Sequence, residues 1–422
     1  MNRAALNRSK FLLILIFFQV TFWTYPSAHA GLYTFTSHTF TACNATGASG
    51  PTQAACRSAY TTTWDENDLY YTVTSGIQLW TVPVSGTYTI RANGASGGKN
   101  STYSSTGYGA SIQGDFTLSS GEQLKILVGQ QGVINSNTNY VPGGGGGSFV
   151  VKNSTLLIAA GGGGTHGTGG GSAGDLTMMR TCADASITTT GKTACMYAGT
   201  ETPGAGGVNG NAGGTVTSSW NGYPGSGYLQ DAAAGGAKSW ANGMLGGPGN
   251  TYGTAGGFGG GGSGGMYGGS GGGGYSGGGA DSRHAPGGGG GSYNSGTTKV
   301  ETLTASFGDG SVLITLKAIA ISDTTISIST PSNFEFRVAG DIVATASAPG
   351  RVTFIVNGKR AGGCVAIPTT TNAPYTATCS YKPSFRGAIT ISAELAPSDT
   401  SAYRSSKSAN SVAQSIRRSG NR

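Results

Sequence analysis

The residues able to do chemistry are few. Beyond the first thirty positions the chain holds three histidines, His38, His166 and His284, and none lies beside a nucleophile or a second ligand at a workable spacing. His166 and His284 fall in glycine tracts, where a solvated polar side chain is expected. Asp65-Glu66-Asn67-Asp68 is the densest acidic group; it lacks the D-x-D-x-D-G pattern of a calcium loop and reads as a polar turn. Gly191-Lys192-Thr193 has Ser186 where a phosphate loop needs its first glycine. G-x-G-x-x-G recurs only because any glycine run matches it. No G-x-S-x-G, H-E-x-x-H or spaced carboxylate pair stands out from the glycine background. The expectation is a protein without catalytic residues, cofactor or metal.

Six cysteines remain, in three local pairs: Cys43 with Cys56, Cys182 with Cys195, and Cys364 with Cys379. No C-x-x-C spacing favours a metal, and an even count in an exported chain reads as disulfides. Each closed loop of this size stabilises by roughly 3 kcal/mol in the chain-entropy model.

Export is itself a reading of the sequence. Arg3, Arg8 and Lys10 precede an apolar stretch from Phe11 to Trp23, and Ala28-His29-Ala30 has the small-x-small pattern of a cleavage site. Residues 1–30 are therefore expected to be a signal peptide, and the mature chain to be secreted or surface-associated without a transmembrane anchor. The whole chain has a net charge of +8 over 422 residues. Residues 31–316 carry 10 basic and 12 acidic side chains, whereas 317–422 carry 12 and 5. The uneven charge reads as a solvated surface, or more sharply as attraction of the basic C-terminal part to anionic wall polymers or membrane. Nucleic acid is not expected as a partner, because no recognition motif accompanies the charge.

The elements that would position any site are strands. Gly76–Pro83 and Gly86–Ala92 alternate apolar and polar residues about a Ser85-Gly86 turn and read as a hairpin. Leu124–Val128, Ser148–Val151, Leu156–Ala160 and Ser311–Leu316 are further strands. No helix-period apolar pattern appears, so the class is all-β. Between Val141 and Val300, 55 of 160 residues are glycine, against about 7% in ordinary chains. The tract sits inside a strand system and is punctuated by Trp240, Phe258, Tyr267 and Tyr275. Without Cβ atoms, extended threefold helices can pack with their backbones in contact, and strands such as "LLIAA" before Gly161 would clamp them. A linker remains the alternative on residues alone.

Ordered blocks then narrow the choice. They run from Phe40-Thr41-Ala42-Cys43 and Gly50-Pro51-Thr52-Gln53-Ala54-Ala55-Cys56, through Gly76-Ile77-Gln78-Leu79-Trp80 and Ile126–Gly132, to Leu157–Gly164, Gly256–Gly262 and Ser270–Tyr275. Together they resemble the glycine-rich extracellular region of the anaplastic lymphoma kinase and leukocyte tyrosine kinase family over about residues 36–316. The resemblance implies a tumour-necrosis-factor-like antiparallel β module with an inserted bundle of polyglycine II helices, and it implies binding of protein ligands. It implies no kinase here: V-A-I-K, H-R-D and D-F-G motifs are absent, and Asp115-Phe116-Thr117 lies in a β segment.

Residues 325–412, with Ala344-Thr345-Ala346, Gly350–Gly358, Ala377–Tyr381 and Gly387–Ala393, are similar to bacterial immunoglobulin-like repeats. That likeness implies a bacterial source and a module that carries a functional head. Ala344–Ala346 and Gly350–Val356 read as a strand pair ending in the Asn357-Gly358 turn. The expected organisation is a signal peptide (1–30), a glycine-rich domain (31–316), a linker (317–324), the immunoglobulin-like domain (325–412) and a basic tail (413–422). The function expected is non-enzymatic recognition of a protein or glycan at a surface. Tyr252, Phe258, Tyr267 and Tyr275 are the candidate contacts. A structural envelope or matrix component without a specific ligand is the alternative.

Overall fold

The computed structural model describes residues 31–101, 105–137, 140–168, 177, 179–196, 202–216, 221–281, 283–304, 307–400 and 402–417. The expected signal peptide and the end of the basic tail lie outside the described residues. The class is all-β, with several largely antiparallel sheets. The chain divides into two compact units, the boundary falling between Ile321 and Ser322.

The larger unit is built on two sheets. One has the order β1-β11-β4-β5-β10: Ser37–Phe40, Ser311–Ile319, Gly86–Asn93, Ala110–Leu118 and Thr297–Leu303. The other runs β2-β3-β6-β7-β8-β9: Tyr71–Thr74, Ile77–Thr81, Gln123–Leu127, Ser148–Lys152, Thr155–Ala160 and Tyr293–Asn294. Strand β11 continues to Ile319, three residues past the Leu316 end read from the sequence. The two sheets share one core, in which Phe40, Trp80, Tyr88, Ile90, Leu124 and Ile158 are buried. The expected hairpin of Gly76–Pro83 with Gly86–Ala92 does not form. Strand β3 pairs with β2 and β6, whereas β4 pairs with β11 and β5. The turn at Ser85 and Gly86 carries the chain from one sheet to the other.

Leu156–Ala160 lacks alternation because both faces of its sheet are covered. Leu157 and Ile158 join the shared core, while Leu156 and Ala159 face a second apolar cluster with Phe149, Met244 and Phe258. At Gly161 the backbone changes period. The N–H groups of Gly162, Thr165 and Thr168 donate to the carbonyls of Gly273, Ser270 and Tyr267 at 2.8–3.0 Å. Those of Gly163 and Gly164 donate to two other segments, at Ala95 and Ala183. Val141, Gly144 and Gly147 step along Gly265, Gly262 and Gly259 in the same way, and Gly272 and Tyr275 along Gly288 and Gly291. A strand returns to one neighbour every second residue; this backbone returns every third, as an extended threefold helix does.

The array cannot stand alone. Each backbone bond is worth about 1 kcal/mol net, against about 1–2 kcal/mol for fixing one residue's backbone. Glycine has the most freedom to lose. The sheets that begin and end the glycine segments supply the difference by holding neighbours in register.

Disulfides join Cys43 to Cys56 and Cys182 to Cys195 in this unit, and Cys364 to Cys379 in the other. Cys56 lies in the one α-helix among the described residues, α1 (Gln53–Ala59), capped by the Thr52 side chain. At seven residues it is too short to leave a helical period in the sequence.

The second unit has two sheets around Ile342, Phe354, Ile389 and Ile391. The smaller is β12-β14-β18: Ile326–Ser329, Gly340–Ala346 and Tyr375–Tyr381. The larger is β13-β21-β19-β15-β16: Asn333–Glu335, Ser411–Ile416, Gly387–Pro397, Gly350–Val356 and Lys359–Arg360. Strand β17 (Ile367–Pro368) is added to β15, and β20 (Ser406–Lys407) to β19. Strands β14 and β15 lie in different sheets and are not the pair the sequence suggests. The Asn357-Gly358 turn instead joins β15 to β16, with both residues at positive φ (50° and 74°), as a two-residue hairpin of this kind requires. Strand β21 extends into the range read as a basic tail.

Candidate partner-binding surface

The four aromatic residues singled out by the sequence fall in different places. Tyr252 is exposed at 42% and packs edge-on against Tyr140, with ring centres 5.5 Å apart. The Asn250 side chain orders its loop, accepting from the N–H groups of Tyr252 and Gly253 and donating to the Gly264 carbonyl. Tyr267 is half-buried beside His284. Tyr275 is half-buried and stacks on Tyr293 at 5.0 Å. Phe258 is fully buried under the β7–β8 face and presents nothing to a partner. The sequence offered it as a candidate contact. In fact the absence of side chains on Gly50 and Gly76 makes the slot it fills.

The structure assembles a surface that the sequence did not. Trp240 stacks on Tyr228 at 5.6 Å, and Tyr228 stacks on Phe149 at 6.1 Å. The Tyr228 N–H donates to the Tyr275 carbonyl at 2.8 Å, which sets this pair beside the Tyr275–Tyr293 pair. Tyr228, Trp240, Tyr275 and Tyr293 are all half-buried against the cluster of Leu127, Phe149 and Val151. Leu229, next to Tyr228, is 65% exposed. The result is two stacked pairs of half-buried rings resting on one apolar cluster.

Trp240 is held by Asp231. This carboxylate accepts from the Ser239 N–H and hydroxyl and from Asn242 at 2.7–3.0 Å, and it pairs with Lys238 at 3.2 Å. Burial alone would raise the Asp231 carboxyl; the donors of Asn242, Ser239 and Lys238 outweigh it and hold the group below the usual carboxylate range. Burial raises the Tyr228 phenol. Such pairs can bury rings against an apolar or aromatic partner while phenol and indole edges make polar contacts. No signal in the sequence distinguishes these aromatics from those that merely pin glycine segments, because much of their neighbourhood comes from strands distant in sequence, at Leu127, Phe149 and Val151.

Among the described residues no group of three or more His, Cys, Asp or Glu could hold a metal ion. No helix among them is long and apolar enough to cross a membrane. His166 is fully buried in the glycine array, contrary to the solvated position expected, and its Nδ1–H donates to the Gly167 carbonyl at 2.9 Å. Burial pushes it down to about 4. His38, ringed by Phe40, Tyr60 and Trp64, is also pushed down to about 4, burial outweighing the attraction of Asp65.

Both histidines take up protons less readily folded than unfolded. Their contribution to stability is therefore complete above the unfolded value of 6.5 and declines as pH falls toward 4. For His166 a shift of this size corresponds to on the order of 3 kcal/mol, at about 1.4 kcal/mol per pH unit. Urea midpoints measured from pH 7.5 to 4.5 should fall with acidification, and less steeply in His166→Gln. An unchanged midpoint across that range would contradict the buried neutral placement.

No family model matches the chain. The chain is similar to the leukocyte tyrosine kinase receptor of Mus musculus, with 43% identity over 99 residues. That stretch is 22% of this chain and 11% of the receptor, so the match spans about a tenth of the relative's length.

Proposed function

We propose that the chain is an exported, non-enzymatic recognition protein whose glycine-rich unit is the binding head. The observation that carries this reading is the two stacked pairs, Trp240 on Tyr228 and Tyr275 on Tyr293, half-buried on one apolar cluster, with Asp231 ordering the Ser239–Asn242 turn that carries Trp240. A matrix filler needs the packed array but not two half-buried ring pairs on one cluster. The partial likeness to a receptor supports the same reading. Under it, the larger unit is a tumour-necrosis-factor-like module with polyglycine II insertions, and the smaller an immunoglobulin-like carrier. Residues 1–30 are a signal peptide and the source is bacterial. The partner is a protein or glycan at a cell surface, and Tyr252 adds a second, separate contact.

Saturable binding of the purified chain to intact cells or wall fractions tests this. Tyr275→Ala with Tyr293→Ala should lower affinity at least tenfold while leaving the far-ultraviolet spectrum unchanged. Non-saturable retention that the double variant does not alter would favour the structural-component alternative.

A further inference from the structure

The second unit carries a cleft that owes nothing to the glycine array. Two adjoining cavities of about 450 and 400 Å³ share Arg360, Glu394 and Lys407 on the outward face of the larger sheet. Strand register makes them. Val352, Phe354 and Val356 pair with Leu395, Ala393 and Ile391 and are buried in the core. Their alternates Thr353, Ile355, Ser392 and Glu394 therefore point outward. Arg360 on β16 lies opposite Ile355, and Lys407 on β20 lies opposite Glu394. The floor is thus β15 and β19, and the rims carry one cation each. Four adjacent strands at about 4.8 Å spacing set the rim strands about 14 Å apart.

The two rims differ in charge. Lys407 is paired with Glu394 at 3.2 Å. Arg360 forms no ion pair among the described residues. Its guanidinium fork suits a carboxylate or phosphate bidentately. The Lys407–Glu394 pair offers donor and acceptor together, and Thr390 adds a hydroxyl on the floor. A chain bearing anionic groups with hydroxyls between them can engage Arg360 and the Lys407–Glu394 pair together. Glu394 would repel a polymer of unbroken charge. A neutral chain would leave Arg360 unused.

We propose that this cleft binds a hydroxyl-rich anionic chain, its carboxylate or phosphate on Arg360 and its hydroxyls on the Lys407–Glu394 pair. The test uses the full chain, titrated with polygalacturonate, polyglycerol phosphate and neutral dextran. At least one charged polymer should bind ten times more tightly than dextran, and which one binds identifies the anion. Arg360→Ala should lower that affinity tenfold or more, and Arg360→Lys should recover part of it. Lys359→Ala removes the same charge one residue away and should change affinity less than twofold. Equal effects of Arg360→Ala and Lys359→Ala would reduce the interaction to diffuse charge and overturn the assignment. Dextran binding as tightly as the charged polymers, or no binding to either of them, would also overturn it.

Discussion

Gly272→Val should destabilise the glycine-rich unit severely. A Cβ at this position would lie 2.1 Å from the Gly162 carbonyl oxygen, 2.7 Å from its carbon and 2.9 Å from the Gly163 carbonyl carbon. These are backbone atoms, and they cannot withdraw: Gly162 donates to Gly273, and Gly272 to Gly288. Relieving the clash means separating several segments at once. The expected loss is at least about 4 kcal/mol, the exceptional end of single-substitution effects. Ser154→Val, in the exposed turn between β7 and β8, should stay within about 0.5 kcal/mol. Gly249→Ala, whose Cβ would approach nothing nearer than 3.3 Å, should cost little. Thermal unfolding of the three beside the parent gives the comparison. A Gly272→Val chain that melts with the parent would mean the tract is not packed.

Phe258→Ala should cost about 3–5 kcal/mol, the ordinary range for deleting a buried ring. The ring is fully buried, and a Cβ at Gly50 or Gly76 would fall 2.5–2.9 Å from its atoms. The substitution empties a slot made by two glycines from distant segments, and those segments have no side chains with which to refill it. Tyr252→Ala, at an exposed edge, should leave stability within about 0.5 kcal/mol. Urea unfolding separates the two. Equal small effects would contradict the burial of Phe258.

These two positions mark how far the sequence could be read. Strand positions, the all-β class and the local cysteine pairs follow from alternation, composition and spacing within a dozen or so residues. Partner choice between strands does not. Ile77–Thr81 and Gly86–Asn93 look like a hairpin, yet Pro83–Ser85 redirects the chain into another sheet. The pattern of alternation is the same in either case. Ala344–Ala346 and Gly350–Val356 separate for the same reason. Within the tract, absence of side chains announces close packing but not which glycine meets which neighbour. Gly260 reads like Gly272, but it sits in a turn at φ +83°, while Gly272 is inside a threefold run. Burial of Phe258 and His166, and the placement of Tyr228 and Trp240 beside Tyr275 and Tyr293, are products of that packing. They were invisible for that reason. The Arg360 cleft was legible only as net charge; its shape needs the register of β15, β16, β19 and β20.

The claim on which the rest depends is that the described glycine segments between residues 141 and 300 form an ordered, hydrogen-bonded array clamped by strands. Amide hydrogen exchange of the native chain tests it most directly. The N–H groups of Gly144, Gly147, Gly162, Gly163, Gly272 and Gly290 each donate to a carbonyl of another segment at 2.8–2.9 Å. They should exchange together with the core amides of Ile90 and Ile158, at rates set by unfolding of the whole unit. Exchange of those glycines at the rate of a free peptide, while Ile90 and Ile158 remain protected, would show a loop threaded between sheets and would contradict the array.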